Sequence, residues 1–585
     1  MKRAFKYLFE NKTAIIIGYI IKISGTVVGL FIPRIMGTLI DDVVPRLRET
    51  GDWTEFVLGG VFMAFCAVFD RTFNIIANRR AAKYSMLAIR HLRNDLYQKI
   101  LSLSGKQTDE FGIPSLVSRL TSDSYNIHTF FNIMQRMGVR STLICIGGLI
   151  LSATLDLSLT LTLVATLPFV FAIVFFISRR GIPLYSIVQT SVDKMVRIMR
   201  EDVSGIRVIK ALSKEDYERE RFDDANSATV KDELKASGVM AISGPIISLC
   251  LNMGLVLVIV IGAYRVNAGA VKAGTIIAFL TYFTMILNSL IAVNRIFINY
   301  SKASASAKRI YAVMDAEDDL KVAEWKDSDA KDGITSPYRI EFRHVWFCYG
   351  DNKENDEEKY VLKDIDFTLA PGESLGIIGA TGSGKTTIIS LLMRYYDPTR
   401  GEIFIDGRNI KTYPLDSLRK MFGVAFQNDI IFAEAIDENI RFGREISDED
   451  VEMASKAACA YEFIMGKENG FKHEAAIKGA DFSGGQKQRL FISRALAGHP
   501  GILILDDSSS ALDYKTDADV RENINENFGD CTLISVAQRI SSVMKMSKIM
   551  VIEDGAIIGL GTHEELLANN EVYKEIASTQ LGSLL

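Results

Sequence analysis

Residues 374–394 read SLGIIGATGSGKTTIISLLMR, and within them Gly379-Ala-Thr-Gly-Ser-Gly384-Lys385-Thr386 fits the pattern GxxxxGK[ST]. The apolar run 374–378 predicts a strand ahead of the loop and 388–394 predicts a helix behind it, the context this pattern requires. Glycines let backbone N–H groups close around phosphate oxygens at the positive end of the helix. Lys385 is placed to neutralise β- and γ-phosphates, and Thr386 to hold Mg²⁺. The stretch therefore announces a phosphate-binding α/β domain.

Working outward, short apolar runs alternate with helical patterns from residue 339 onward, as an α/β domain requires. Ile502-Leu-Ile-Leu505-Asp506 reads as a buried strand ending in a carboxylate, so Asp506 is the expected Mg²⁺ anchor, bound directly or one layer out. Between the two elements lies Phe482-Ser483-Gly484-Gly485-Gln486-Lys487-Gln488-Arg489. The charge run 351–359 (DNKENDEEK) predicts a surface hairpin loop. Residues 316–337, polar and acidic and ending in Pro337, predict a solvated linker ahead of a domain at 338–585.

Residues 1–315 have another character. Three stretches, 157–178, 236–264 and 273–294, contain no charge, and each is long enough as a helix to cross a hydrocarbon core of roughly 30 Å. Residues 134–153 span if Arg136 and Arg140 snorkel at the inner end. Residues 13–36 contain Lys22 and Arg34, and 56–78 contain Asp70 and Arg71, which brings the expected spans to six. Lys2, Arg3, Lys6 and Lys12 precede the first span; Arg79, Arg80, Lys83, Arg90 and Arg93 follow the second. Arg179 and Arg180 follow the fourth, and Lys302, Lys308 and Arg309 the sixth, whereas the opposite loops are short and poor in Lys and Arg. This bias predicts cytoplasmic termini and long cytoplasmic connections at 79–136 and 179–235, built of helices running on below the membrane. Lys22 and Asp70 fall at similar depth, where they either pair and line a cavity or face the watery bundle interior.

The chain has 585 residues, 48% hydrophobic and 24% charged, too many for one core and suited to a half-membrane, half-soluble protein. A net charge of -4 gives no support for a nucleic-acid partner. Six scattered cysteines, without a CxxC pair, read as apolar fillers of a reducing compartment with no metal site. The N-terminus shows no A-x-A-like cleavage site before its long apolar run.

With the phosphate loop, the signature 483–486 and the strand ending at Asp506 in this order, the chain resembles the ATP-binding cassette (ABC) transporter family, in its exporter branch of half-transporters. The resemblance covers nearly the whole chain. It implies an all-α six-helix transmembrane domain plus an α/β P-loop NTPase domain, with ATP and Mg²⁺ as cofactors. The ATP-binding set it implies is Tyr349, stacked on adenine, with Gly379, Thr381, Gly382, Ser383, Gly384, Lys385, Thr386 and Thr387. Gln427 matches the loop glutamine that senses Mg²⁺, which sets Thr386, Gln427 and Asp506 around the metal. Ser483, Gly484, Gly485 and Gln486 would act in trans on a partner's nucleotide, and 510–513 would cross the dimer interface. Residues 112–123 and 205–221 look like the cytoplasmic loops whose tips form coupling helices, the second docking on the partner's cassette.

Three positions depart from the family pattern. Asp507 stands where a Glu normally orients the attacking water, and Gln538 stands where a His is usual. Ala476-Ile477-Lys478-Gly479 replaces a Gly-Glu-Arg-Gly loop, while Phe482 is an apolar swap for Leu. Asp is one methylene short of Glu, and Gln takes no proton near neutral pH; a misplaced base commonly costs roughly 10²–10⁴-fold in rate. The pattern resembles the subunit of a heterodimeric exporter that contributes the degenerate ATP site; drift within a slower working site is the alternative. The expected function is ATP-driven export of amphipathic or drug-like molecules across a bacterial plasma membrane, in a dimer with a second, non-identical half-transporter. A nucleotide-gated channel or regulator is the competing expectation. A peptide exporter with a fused protease is disfavoured because no Cys/His domain precedes Thr13.

Overall fold

A computed structural model of the chain describes residues 1–323, 337–350, 357–427, 429–508 and 510–581. Most of the linker expected at 316–337, the bulk of the charge run 351–359, and Asn428 lie outside the described residues. Two compact units emerge: Met1–Leu101 with Pro114–Ala316, and Ser102–Ile113 with Glu317–Leu585.

The first unit is helical. Among the described residues, Lys12–Thr50, Thr54–Ser102, Ile113–Leu155 and Ala273–Met314 are helices long and apolar enough to cross a membrane. The spans expected at 157–178 and 236–264 fall on helices Leu157–Ser204 and Ser243–Asn267, several of whose side chains lie outside the described residues. Helical backbone is interrupted at Ile242, between Glu215–Ala241 and Ser243–Asn267, where the ring of Pro245 removes an amide donor from the ladder. Thr54–Ser102 has 49 residues and is about 74 Å long, more than twice a hydrocarbon core. Its length is that of a helix that runs on well past the bilayer.

Small residues let these helices approach closely. A Cβ on Gly25 would stand 2.8 Å from Phe73 Cβ, and one on Gly29 would stand 3.1 Å from Asp70 Cγ. Further along, Tyr282 donates to the Leu30 carbonyl at 2.6 Å, and Arg309 is paired with buried Asp123.

The second unit holds, among the described residues, two sheets. The smaller is antiparallel, in the order β2 (Leu362–Leu369), β1 (Ile340–Phe347), β4 (Arg400–Ile405) and β5 (Arg408–Asn409). The larger runs β10 (Ala556–Gly561), β9 (Lys548–Glu553), β3 (Ser374–Gly379), β8 (Thr532–Val536), β7 (Ile502–Asp506) and β6 (Phe422–Ala425). Its strands from β9 to β6 are parallel. Every residue of β7 and β8 is buried, which is why 502–505 is an unbroken apolar run. Arg394, fully buried after the helix Lys385–Leu392, pairs with Asp397 at 2.9 Å and donates to the carbonyl of Lys321 at 2.7 Å, pinning the entry to the domain.

One expectation needs correcting. The segment packed on the cassette domain is the helix Gly105–Phe111, upstream of 112–123. Ser104 opens it with a capping box to Gln107, Gly112 at φ 73 closes it, and from Pro114 the chain belongs to the helical unit. Gln107 donates to the Glu317 carbonyl at 2.6 Å, Ser104 to Asp319 at 2.8 Å, and Tyr396 to Asp109 at 2.5 Å. The other expected loop, 205–221, forms the short helix Ile206–Ala211 between two long ones, within the first unit.

Candidate nucleotide site

Parallel strands place their carboxyl ends on one edge, and ligands of open α/β sheets bind there. Ala425 stands opposite Leu505, and Asp506 opposite Val536, so β6, β7 and β8 end at matching levels. Gln427, Asp506, Asp507 and Gln538 therefore emerge side by side. The loop after β3 completes the row, since β3 pairs with β8. A cleft of about 320 Å³ is bounded by Thr381, Gly382, Gly384, Lys385, Thr386 and Thr387 on one side, and by Gln427, Asp506, Asp507 and Gln538 on the other.

Within the loop, Gly382 (φ 87) and Gly384 (φ 104) take backbone conformations that side chains resist; a Cβ at Gly384 would also meet Leu362 Cδ2 at 2.5 Å. Lys385 Nζ donates to the carbonyls of Gly379 at 2.9 Å and Ala380 at 2.7 Å. Burial lowers its pKa, against the opposing pull of Asp506 and Asp507. Ser383 Oγ is buried and has no hydrogen-bond partner among the described residues, an orphan that a phosphate oxygen would satisfy. Burial raises the pKa of Asp506, while the neighbouring Thr386 hydroxyl lowers it in part; this hydroxyl and carboxylate are the kind of oxygen donors that suit Mg²⁺. The residues present thus fit a Mg²⁺–nucleotide.

Asp507 is the unusual member. It is buried, with a left-handed φ of 50, and its N–H donates to the Val536 carbonyl at 3.0 Å. Its Oδ2 accepts Gln427 Nε2 at 2.9 Å and Gln538 Nε2 at 2.8 Å. Burial raises its pKa, while the two amides hold the charged form in part. The carboxylate is thus clamped from both sides, one oxygen carrying two donors.

Tyr349 is half exposed at the mouth of the cleft; its hydroxyl lies 3.1 Å from Thr387 Oγ1 and its ring meets Tyr396 edge-on at 5.3 Å. The other predicted residues are elsewhere: Ser483, Gly484, Gly485 and Gln486 are not among the described residues lining the cleft. Ser483 is exposed at the N-terminus of helix Gly484–Leu496, in a capping box with Gln486. The phosphate loop and 483–486 therefore stand at separate places in the second unit.

Several contacts had no sequence assignment. Gln488, quoted in the signature stretch without a role, donates to Ser510 Oγ at 2.9 Å and accepts from Ala511 N at 2.9 Å, tying that helix to 510–513. Gln580, near the C-terminus, donates to the Gln538 carbonyl at 2.8 Å and accepts the Ile540 amide at 2.7 Å. Val361 and Val536 supply apolar wall. Gln580 had no local signal, because long-range packing brings it to the Gln538 backbone.

A phosphate-loop ATPase fold on the same chain as a bundle of long apolar helices defines a membrane-bound nucleotide-driven transporter. Comparison with known proteins gives the family. Residues 15–290 match the ABC transporter transmembrane region and residues 362–510 match the ABC transporter ATPase family model. The uncharacterised ABC transporter ATP-binding protein YfiB of Bacillus subtilis is 33% identical over 92% of this chain and 90% of its own length. A putative multidrug export ATP-binding/permease protein of Staphylococcus aureus is 32% identical, over 84% of this chain and 83% of its own. In fold, the chain is similar to a bacterial Atm1-family ABC exporter with ATP bound, at a TM-score of 0.78, 21% identity and 99% coverage of both chains. This chain belongs to the ABC transporter family, as a half-transporter with its membrane and ATPase domains in one polypeptide.

Proposed function

We propose that the chain is one subunit of a heterodimeric exporter that moves amphipathic or drug-like molecules out across a bacterial plasma membrane, with both termini cytoplasmic. In this reading Tyr349 stacks on adenine; Gly379, Thr381, Gly382, Ser383, Gly384, Lys385 and Thr387 bind the phosphates. Thr386, Asp506 and Gln427 hold Mg²⁺, the ion that offsets charge on the β- and γ-phosphates when bound. Ser483 to Gln486 close on the partner's ATP.

The observation that carries the reading is the clamp on Asp507. A water-orienting carboxylate must reach a water in line with the γ-phosphate. Asp507 is shorter than Glu and turned onto Gln427 and Gln538, and Gln538 has no basic nitrogen with which to assist. Binding chemistry is intact while the hydrolytic step is impaired, which supports a nucleotide-holding site in this chain and a competent one completed by its signature. Support for a second half-transporter comes from 205–221, where Val208 and Leu212 are 60% and 64% exposed, apolar surface of the kind an interface covers. The multidrug naming of the Staphylococcus aureus relative supports the substrate class.

The test is ATP-driven uptake of a fluorescent amphiphile into inverted vesicles bearing this chain with and without its co-expressed partner. Uptake confined to the pair supports the proposal, and uptake by this chain alone contradicts it. The same Asp507 clamp also favours a nucleotide-gated channel, which would dissipate a gradient of the amphiphile and never build one.

A further inference from the structure

The helical unit contains a cavity of about 460 Å³, within the usual range for small-molecule sites. Its wall combines helices Lys12–Thr38, Thr54–Ser102, Val139–Leu155 and Ala273–Met314 with the turn Met134–Gly138 just before Val139. Its lining includes the apolar side chains of Ile32, Met137, Ile144 and Met285. It also includes Arg71, Arg136 and Arg140 against a single carboxylate, Asp70, a surplus of two positive charges.

Asp70 is already engaged. Its side chain is 7% exposed, receives Asn74 Nδ2 on Oδ1 at 2.6 Å, and has Arg140 Nη2 at 3.4 Å and Arg71 Nε at 3.9 Å from Oδ2. Gly29 makes room for it, because a Cβ there would press on the carboxylate, 3.1 Å from Cγ and 3.2 Å from Oδ1. Lys22, buried close by, is held by Asn78 Oδ1 at 2.8 Å and adds further positive potential. Arg136 pairs with no carboxylate among the described residues. Uncompensated cations among apolar helices are costly, and such residues are retained in membrane segments where they meet an opposite charge.

We infer that this cavity is a cargo subsite for amphipathic anions: Arg136 and Arg140 take a phosphate, sulfate or carboxylate head, and the apolar lining residues such as Ile32 and Met285 take the apolar body. Arg140 is anchored by Asp70 and therefore presents its remaining N–H donors in a fixed direction, whereas Arg136 supplies the unneutralised charge. The inference deepens the exporter reading and rests on it for the word cargo. An anionic membrane lipid and a free amphiphilic anion share this chemistry.

The experiment uses the full chain in phosphatidylcholine nanodiscs with radiolabelled dodecyl phosphate as probe. Saturable binding is expected, competed by dodecyl sulfate and not by dodecyltrimethylammonium or inorganic phosphate. Arg136→Gln with Arg140→Gln should weaken it by about tenfold or more, as loss of charge-assisted hydrogen bonds does. Arg136→Lys with Arg140→Lys should retain most of it, and ATP photolabelling should be unchanged in both, reporting an intact fold. Competition by phosphatidylglycerol nanodiscs identifies a lipid head as the source; its absence identifies a free amphiphile. Equal binding of the cationic amphiphile, full competition by inorganic phosphate, or an unaltered affinity in the glutamine variant with photolabelling intact would each overturn the subsite. ATP-driven vesicle uptake separates the two readings: binding without uptake removes the exporter reading alone, and uptake indifferent to charge removes the anion subsite alone.

Discussion

Lys385 and Asp507 lie in one cleft, and the proposed reading gives them different tasks, nucleotide binding and turnover. Lys385 lies on the loop that would meet the phosphates, so Lys385→Ala should abolish most ATP photolabelling of this chain. Unchanged labelling would mean the cleft does not bind nucleotide. Asp506 yields a pH expectation. Its pKa is raised by burial, so as pH falls from neutrality it takes up a proton earlier than an ordinary carboxylate. Mg²⁺ needs the ionised form, so Mg²⁺-dependent nucleotide affinity should decline on mild acidification, and Asp506→Asn should remove that dependence. A raised acid pKa also favours the protonated fold. Stability from this group is thus present at low pH and lost as pH rises through the folded pKa, opposite in sign to the affinity change. At this scale the sequence was informative wherever a motif is local: Thr381, Gly382, Gly384 to Thr387, Asp506 and Gln538 all line one cleft. Gln580 and the two-amide clamp were illegible, because both depend on side-chain directions set by packing between distant segments.

Element boundaries were legible in the sequence to different degrees. The spans containing Asp70 or Lys22 were readable from hydropathy, and the length of Thr54–Ser102 follows from uninterrupted helix-forming sequence to residue 102. The segment grouped with the second unit was expected at 112–123 and lies at 105–111, because a resemblance fixes a loop only approximately, whereas the capping box Ser104–Gln107 sets the helix start. Ser104→Ala should remove a cap worth about 1 kcal/mol and the bond to Asp319. Faster amide exchange confined to 102–113, with ATP photolabelling preserved, is the expected result; unaltered exchange would show that Ser104 does not hold this helix. Topology is tested by impermeant thiol labelling of single cysteines. Positions 46–51 should react from outside, whereas Lys106 and Ser213 should react only from the cytoplasm. External reaction at Ser213 would invert the orientation.

For the whole molecule, the account turns on a division of labour between two chains. Ser483 is exposed and capped at a helix N-terminus and is not among the described residues that line this chain's own cleft, and the proposal gives it a partner's nucleotide as ligand. That much the sequence implied only through family resemblance, since no pattern within one chain says which surface a second chain covers. If the signature serves the competent site, a disruptive change at Ser483 should abolish most activity of the pair by removing a donor to the γ-phosphate there. Asp507→Glu should change turnover less than loss of the partner's catalytic Glu. The most direct test is ATPase activity of the purified chain alone against that of the co-expressed pair. Little hydrolysis by the single chain and vigorous hydrolysis by the pair is the predicted result. Vigorous, substrate-stimulated hydrolysis by a pure homodimer would contradict it and make Asp507 a working base.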